Sequence, residues 1–509
     1  MQSRYNPGAM RATIATSQIH DFYFTPRRDA GLGARVLERE LRQCGLQTQV
    51  RLLSSEGKPK AVPLPSELGY LRPFLVPGET GPISWFTGYR RFGPDPADAA
   101  KLLLEDRPDL LFLSCWAWGY SDDLIALARE VHRLDAGLPI IVGGHGPSVH
   151  PDTFLAPVDE RSGLPLFRLV AAGEADGNIS FLLDALGGPN RFVDLRISGV
   201  SPRARHVEPV AGAPPGNAGI GRLSVMLTRG CPCSCDFCAN FITSGRAFRP
   251  SPAESWMPCL DRAIDSFGLR GSSIHINIED DNILYLKDEF LEFISEVSSR
   301  HGGVRFSAEN GLDYRLLDPG DVDRLKESGF AELNLSLGAA SPDGKRHSDR
   351  ARLAAILRRA ATIQLPVTTH FICGLPNDRI GDIADALSFL GELPTQIGIS
   401  NFYPVPGLPG FQDPEVFRDR SPRLALGSSV YPWAGTIDTA SMITAFRLSR
   451  WLNLRRRLLD GKRSTDIEQE LAREIARTGK LCTIVKKDGI RQVRLVPRLN
   501  DVLVRAVVS

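Results

Sequence analysis

Apolar and polar positions alternate along the first 145 residues in two rhythms. "RATIATSQI" (11–19) is a short strand-like run, "LGARVLERELRQCG" (32–45) repeats apolar residues at helical spacing and stops at Gly45, and "QTQVRLL" (47–53) is strand-like again. An irregular stretch rich in Pro and Gly covers roughly 57–98. The alternation then resumes with "DLLFLSC" (109–115) as a buried strand, "DDLIALAREVHRL" (122–134) as a helix and "LPIIVGG" (138–144) as a strand. Strands that are apolar throughout and separated by helices predict a parallel sheet covered on both faces. The expected fold is α/β, beginning with an open doubly wound, Rossmann-like domain that binds ligands at the carboxyl ends of its strands.

Residues 195–220 are rich in Gly, Pro and Ala and read as an interdomain linker. A second alternating series follows, with six strand-like runs: "RLSVMLTRG", "SSIHINIED", "VRFSAEN", "AELNLSLGAA", "VTTHFICGLP" and "QIGISNFYPVPG". Helical stretches such as "KDEFLEFISEVSSR" and "IADALSFLGEL" lie between them. Six strand-plus-helix repeats predict a partial (β/α)6 barrel of TIM type, with functional groups at the carboxyl ends of the strands. From about Thr436 a long Arg-rich helix, "ASMITAFRLSRWLNLRRRLLDGK", is expected to have a solvated face and a hydrophobic underside, and two short strand-like runs close the chain. The expected division is 1–194, 195–220 as linker, 221–435 and 436–509.

Composition narrows the class of function. A chain of 509 residues suggests two or three domains at roughly 150 residues each. A net charge of +2 gives no basic excess that would argue for nucleic acid. The N-terminal residues lack the pattern of a secretory signal, and no apolar run reaches the roughly 18 residues of a membrane span. Five of the nine cysteines are scattered singly, unlike a disulfide framework, so a reducing, cytoplasmic location is expected.

The other four cysteines lie within "RGCPCSCDFCAN" (229–240), directly after the first strand of the second series. A run this dense can be a zinc knuckle, a disulfide staple, a redox pair or an iron–sulfur loop. Cys231, Cys235 and Cys238 are spaced C-x3-C-x2-C, and with the flanking "RG" and Phe237 the arrangement resembles the signature of the radical S-adenosylmethionine (SAM) superfamily. The resemblance implies that these three thiolates hold three irons of a 4Fe-4S cluster, leaving the fourth iron to the amino and carboxylate groups of SAM. Cys233 occupies the variable slot and is expected to be a bystander, although it is also the one candidate for a fourth ligand in a closed zinc site.

Further segments match the same superfamily in order over about residues 221–430. "IEDDN" ends the second strand, and the resemblance makes Glu279, Asp280 and Asp281 candidates for holding the amino group of SAM. "FSAEN" ends the third, where Glu309 or Asn310 is expected to reach the ribose or the substrate. "LSLGAAS" is similar to the fourth-strand pattern and offers Ser341, with Ala340 where a Glu is usual. "FICGLPND" resembles the fifth-strand segment and contributes Gly374, and "YPVPGLP" resembles the sixth.

The first domain resembles the cobalamin-binding domains fused to radical SAM cores. "PDLLFLSC" ends near Ser114, "LPIIVGGHGPSVHPDTFL" corresponds to a "GGxHxS" loop with Gly143, Gly144 and His145, and "LVAAGEADGNISFLLDAL" to a "GEGE" turn with Gly173 and Glu174. The glycines are expected to let backbone approach a large flat ligand. The D-x-H-x-x-G motif of other cobalamin proteins is missing; "IHDFYF" has His20 and Asp21 in the wrong order. His145 can in principle ligate a metal, but a hydrogen-bonding or packing role is favoured.

The expected function is that of a cobalamin-dependent radical SAM enzyme, a methyltransferase acting on an unactivated carbon or phosphorus of a small molecule, with an external electron donor of flavodoxin or ferredoxin type. Cyclisation, ring contraction, oxidation or aminocarboxypropyl transfer on the same scaffold is the nearest alternative. A non-catalytic cobalamin or cluster sensor is another. Transfer-RNA methylthiolation is disfavoured, because neither a second cysteine triad nor an RNA-binding barrel is visible.

Overall fold

The computed structural model describes residues 10–86, 88–197, 207–214, 221–340 and 349–508. Its N-terminal part is built on a six-stranded parallel sheet. The strands are β1 (Arg11–Thr16), β2 (Gln47–Leu52), β3 (Leu110–Ser114), β4 (Ile140–Gly143), β5 (Leu169–Ala172) and β6 (Phe192–Asp194), in the order β6-β5-β4-β3-β1-β2. The apolar runs explain the layering. Leu111 and Leu113 of β3 enter one buried cluster and Leu110 and Phe112 enter another on the opposite face, so helices cover both sides.

The second series forms two arcs of strands. Val210–Gly212, inside the stretch read as linker, is the strand β7 and pairs antiparallel with β8 (Gly221–Met226). β8 continues in parallel to β9 (Ile274–Ile278) and β10 (Arg305–Ser307), and the other arc is β11 (Leu333–Ala339), β12 (Val367–Cys373) and β13 (Gln396–Asn401). Parallel bridges Phe306–Phe330 and Leu312–Leu335 connect the arcs. The six parallel strands β8–β13, with helices between them, make the expected partial barrel.

A partial barrel leaves two edges, and other segments attend to them. The Asn453 side chain accepts from the Ile397 amide at 2.8 Å and donates to the Ile397 carbonyl at 3.0 Å, satisfying the open edge of β13. On the same side Phe22 and Tyr23 stack on Phe86, which meets Phe446. Eight residues on, the Ala30 carbonyl lies against Gly212 of β7. The segment from Phe22 to Ala30 thus spans the gap between the two edges, and Arg28 on it pairs with Glu309 at the end of β10.

The Arg-rich C-terminal helix α1 (Thr439–Leu459) departs from expectation. Its underside is not only apolar: Arg447 is fully buried and pairs with the equally buried Glu79 at 2.5 and 3.0 Å. Glu79 belongs to the irregular 57–98 stretch, where Glu79–Thr80 pairs with the C-terminal hairpin strand Cys482–Lys487. Arg447→Met leaves a buried carboxylate without its counter-charge and is expected to cost about 3–5 kcal/mol, read by chemical denaturation. Adding Glu79→Gln should recover a large part of that loss, since the penalty comes from the unpaired charge. Among the described residues no helix is long and apolar enough to cross a membrane.

Candidate functional site

The cysteine loop leaves β8 through Thr228–Arg229, which pairs with Arg249–Pro250. Gly230 follows with φ 77°, and a side chain there would collide with the Ala247 carbonyl, so the turn needs glycine. Two acids from the end of β9 hold the root of the loop. The buried Asp280 carboxylate accepts from the Leu227 amide at 3.0 Å, the Thr228 amide at 2.6 Å and the Thr228 hydroxyl at 2.7 Å, and Asp281 accepts from the Gly230 amide at 2.9 Å. This corrects the assignment of Asp280 to the amino group of SAM: its lone pairs are already engaged by protein donors. Asp281 faces elsewhere, as described below.

Burial pushes the Asp280 carboxyl up to about 6, against the opposing pull of its hydrogen bonds from Thr228 and Leu227. The folded chain therefore binds this proton more tightly than the unfolded chain, and the group's contribution to stability falls as pH rises from about 4 to 6, by about 3 kcal/mol in total. The difference in unfolding free energy between the wild type and Asp280→Asn should decline over that window and be flat above pH 7.

Cys231, Cys233 and Cys235 are half-buried and Cys238 is exposed. The Cys233 sulfur lies 3.4 Å from the Tyr285 hydroxyl, and the Cys233 carbonyl accepts from Arg246 at 2.9 Å. Among the described residues no three His, Cys, Asp or Glu side chains converge on a single point as for a mononuclear metal. A four-iron cluster does not ask for that, because each thiolate binds its own iron. Cys231, Cys235 and Cys238, three free thiols on one loop with some exposure, are the kind of donors such a cluster would take.

Three of the acids and amides expected around SAM come together on the barrel wall. Glu279 accepts from Ser224 at 3.3 Å, from Asn277, and from the Asn310 amide nitrogen at 2.9 Å. Burial raises its pKa, with Arg28 lowering it and Glu309 raising it. Arg28 belongs to the first domain, and no motif marks it in the sequence. Gly374 has a different task from the one expected: with φ 95° its amide donates to Asp378 at 2.8 Å, and a Cβ would come within 2.8 Å of the Met442 sulfur. Ser341 lies outside the described residues.

The carboxyl ends of β3, β4 and β5 face the cysteine loop across a cavity of about 240 Å³. Ser114, Gly143, Gly144, His145, Gly173 and Glu174 all line it, opposite Arg229, Asn240, Thr243, Ser244 and Asp281. Residues separated widely in the chain are thus brought to one place. The individual roles need correction. A Cβ on Gly144 (φ 98°) would stand 2.7 Å from the Cys115 carbonyl, and one on Gly173 (φ 91°) 2.8 Å from Arg196, so internal packing already demands both glycines. Gly143 is different: its Cβ would meet nothing closer than 3.8 Å, which leaves room for a ligand over the strand end. Glu174 is turned to Arg249, whose nitrogen lies 2.8 Å from both carboxylate oxygens, and this pair ties the first domain to the barrel.

His145 presents its surface to the cavity although protein encloses it. Desolvation lowers its pKa, with Asp281 and Glu174 acting in the opposite sense. His20 and Asp21 are engaged elsewhere: His20 lies 2.9 Å from Asp123, and Asp21 accepts from the Tyr120 hydroxyl at 2.6 Å. Sequence reasoning also missed Tyr403, exposed after β13 and within electrostatic reach of Asp21 and Cys238, and Trp116, exposed after β3. Tyr403 opens the "YPVPGLP" segment but was not singled out within it, and Trp116 belongs to no recognisable motif; an aromatic residue just beyond a strand end was its only signal.

Residues 225–390 match the Radical SAM superfamily. Bacteriochlorophyllide d C-12(1)-methyltransferase of Chlorobaculum tepidum is 20% identical over 197 residues, which are 38% of this chain and 42% of that protein. The chain thus spans less than half the length of that curated relative. The fold resembles that of the radical SAM methyltransferase TsrM from Kitasatospora setae, solved with tryptophan and a SAM analogue, at a TM-score of 0.54 and 13% identity over 79% of this chain and 75% of that one. A TsrM structure with cobalamin and a [4Fe-4S] cluster gives 0.53 at 13% identity, over 79% and 76%. The cobalamin-dependent radical enzyme OxsB, with aqua-cobalamin and SAM, gives 0.50 at 16% identity over 76% of this chain and 52% of that one. At these identities the likeness is one of fold.

Proposed function

From residues 225–390, which match the Radical SAM superfamily, we propose an enzyme that uses SAM, a 4Fe-4S cluster and cobalamin to methylate an unactivated carbon or phosphorus of a small molecule. The observation that carries this reading is the shared cavity. The strand ends of the first domain and the segment that follows the cysteine loop, Asn240–Ser244, line the same space. When bound, the cluster and cobalamin supply the electron that cleaves SAM and the methyl group that is transferred.

The chain's own residues do the rest. Cys231, Cys235 and Cys238 hold the cluster, while Asp280 and Asp281 hold the loop root that sets where these thiolates stand. Glu279 and Asn310 present a carboxylate and an amide to the amino and ribose groups of SAM, and Arg28 keeps Glu309 oriented. Enclosure between the two parts excludes water from a reaction whose intermediates attack whatever is near. At about 240 Å³ the cavity is below the range of roughly 300–1,000 Å³ usual for ligand sites, and the Glu174–Arg249 pair ties the two parts together beside it. The electron comes from an external flavodoxin- or ferredoxin-type donor.

Anaerobic purification with added cobalamin tests the reading. About four irons per chain together with a corrinoid spectrum support it. Iron without corrinoid removes the methyl-transfer mechanism, and a turnover product that is not one methylene heavier than its substrate moves the chemistry to another radical outcome.

A further inference from the structure

The open edge of the barrel holds a second cavity, apart from the one that faces the cysteine loop. It measures about 500 Å³, within the roughly 300–1,000 Å³ usual for small-molecule sites, and lies between β13 and α1 with His370 of β12 in its wall. Among the described residues β13 is the last strand of its arc, so its outer backbone groups need partners from elsewhere. The alternation of the strand turns the amides of Ile397 and Ile399 to that edge. Asn453 meets the first at 2.8 Å, and among the described residues no side chain meets the second.

The charged side chains around this space are mostly cations. Arg450, Arg456, Arg457 and Lys462 line it, against the acid Asp460. Two of the four are compensated, since Arg457 lies 2.7 Å from Glu468 and Lys462 lies 3.9 Å from Asp460. The other two are not. Arg456 donates to the Gly391 carbonyl at 2.6 Å and Arg450 stands 4.6 Å over the Phe446 ring, but among the described residues neither forms an ion pair. Glu79 is the acid nearest in charge to Arg450, and Arg447 already occupies both of its oxygens, at 2.5 and 3.0 Å. Burial, and Arg447 after it, pull the Arg450 pKa down, as expected of a cation that lacks its anion.

We propose that this cavity binds the dianionic phosphate group of a small molecule, as the free ion or as a monoester. Two uncompensated guanidinium groups match the charge of about −1.5 to −2 that such a group carries near pH 7, and its several oxygens suit both guanidinium groups and the Ile399 amide together. A carboxylate would leave one of the cations unpaired. Binding is by ion pairing and hydrogen bonding, with no covalent step, and the site does not depend on the cluster or on cobalamin.

Equilibrium dialysis of the full-length protein against 32P-labelled inorganic phosphate, at fixed chloride, tests this. The expected result is a single phosphate per chain that sulfate displaces and acetate does not, bound at least about tenfold more weakly by Arg450→Gln and by Arg456→Gln. Arg133→Gln, at an arginine of the first domain paired with Glu130, should leave the affinity unchanged. Displacement by glycerol 2-phosphate supports the ester form, and resistance to it supports the free ion. Phosphate should also protect Arg450 and Arg456 of the wild type from phenylglyoxal, read by mass spectrometry, so the test survives a variant that fails to fold. Equal affinity in the wild type and both cavity variants, the same loss in Arg133→Gln, or displacement by acetate means an adventitious ion only and overturns the proposal, as does the absence of binding.

Discussion

Cys231→Ala, Cys235→Ala and Cys238→Ala are each expected to reduce cleavage of SAM to background, whereas Cys233→Ala keeps most of it. The reason is ligand count: three thiolates hold three irons and leave one iron open, and removing any of them leaves a cluster that cannot be held in that form. Cys233 already has a protein environment, with Tyr285 against its sulfur and Arg246 on its carbonyl, and its loss removes only that contact. The measurement is 5′-deoxyadenosine formed by the reduced, reconstituted protein, with iron content determined on the same samples. Full loss at Cys233 with activity retained at one of the other three would show that a different triad binds the cluster.

Asp280→Ala is expected to be the second severe change, and to act through structure. It removes the acceptor for two buried amides and one buried hydroxyl at the root of the cysteine loop. An unsatisfied buried donor costs about 1–3 kcal/mol, so a loss of about 3–5 kcal/mol and a fall in iron content should appear together. Asp281→Ala removes one bond from an exposed carboxylate and should cost about 1 kcal/mol. If Asp280 instead held SAM, Asp280→Ala would raise the KM for SAM with stability unchanged. Denaturation midpoints and KM, measured on the same variant, separate the two.

These expectations show where reading a sequence stops. The cysteine triad was legible as a candidate because its information is local: a spacing within eight residues is enough to mark three possible ligands on one loop. The layered sheet and the barrel were legible because apolar periodicity reports which faces are buried. The tasks of the acids were not legible. "IEDDN" marks a strand end, but it does not say that Asp280 turns back to an amide pair some 52 residues earlier while Glu279 faces Asn310. Glu174 looked like a ligand contact because its turn matches a motif, yet its charge is taken by Arg249, 75 residues away. Arg447 looked like one more surface charge on an Arg-rich helix until Glu79, 368 residues earlier, was found buried beside it.

By itself the sequence determined the α/β class and the order of the two alternating series, and it marked the candidate cluster loop, since each depends on residues near one another in the chain. Only the tertiary structure decided which strand ends meet across a cavity, that Asp280 and Asp281 of "IEDDN" support the cysteine loop, and that His145 lines the cavity near Asp281 and Glu174 while His20 pairs with Asp123. A charged or polar side chain acquires its role from whichever opposite charge or hydrogen-bond group folding brings to it, and ahead of the cysteines of "RGCPCSCDFCAN" distant acids hold the backbone at Thr228 and Gly230.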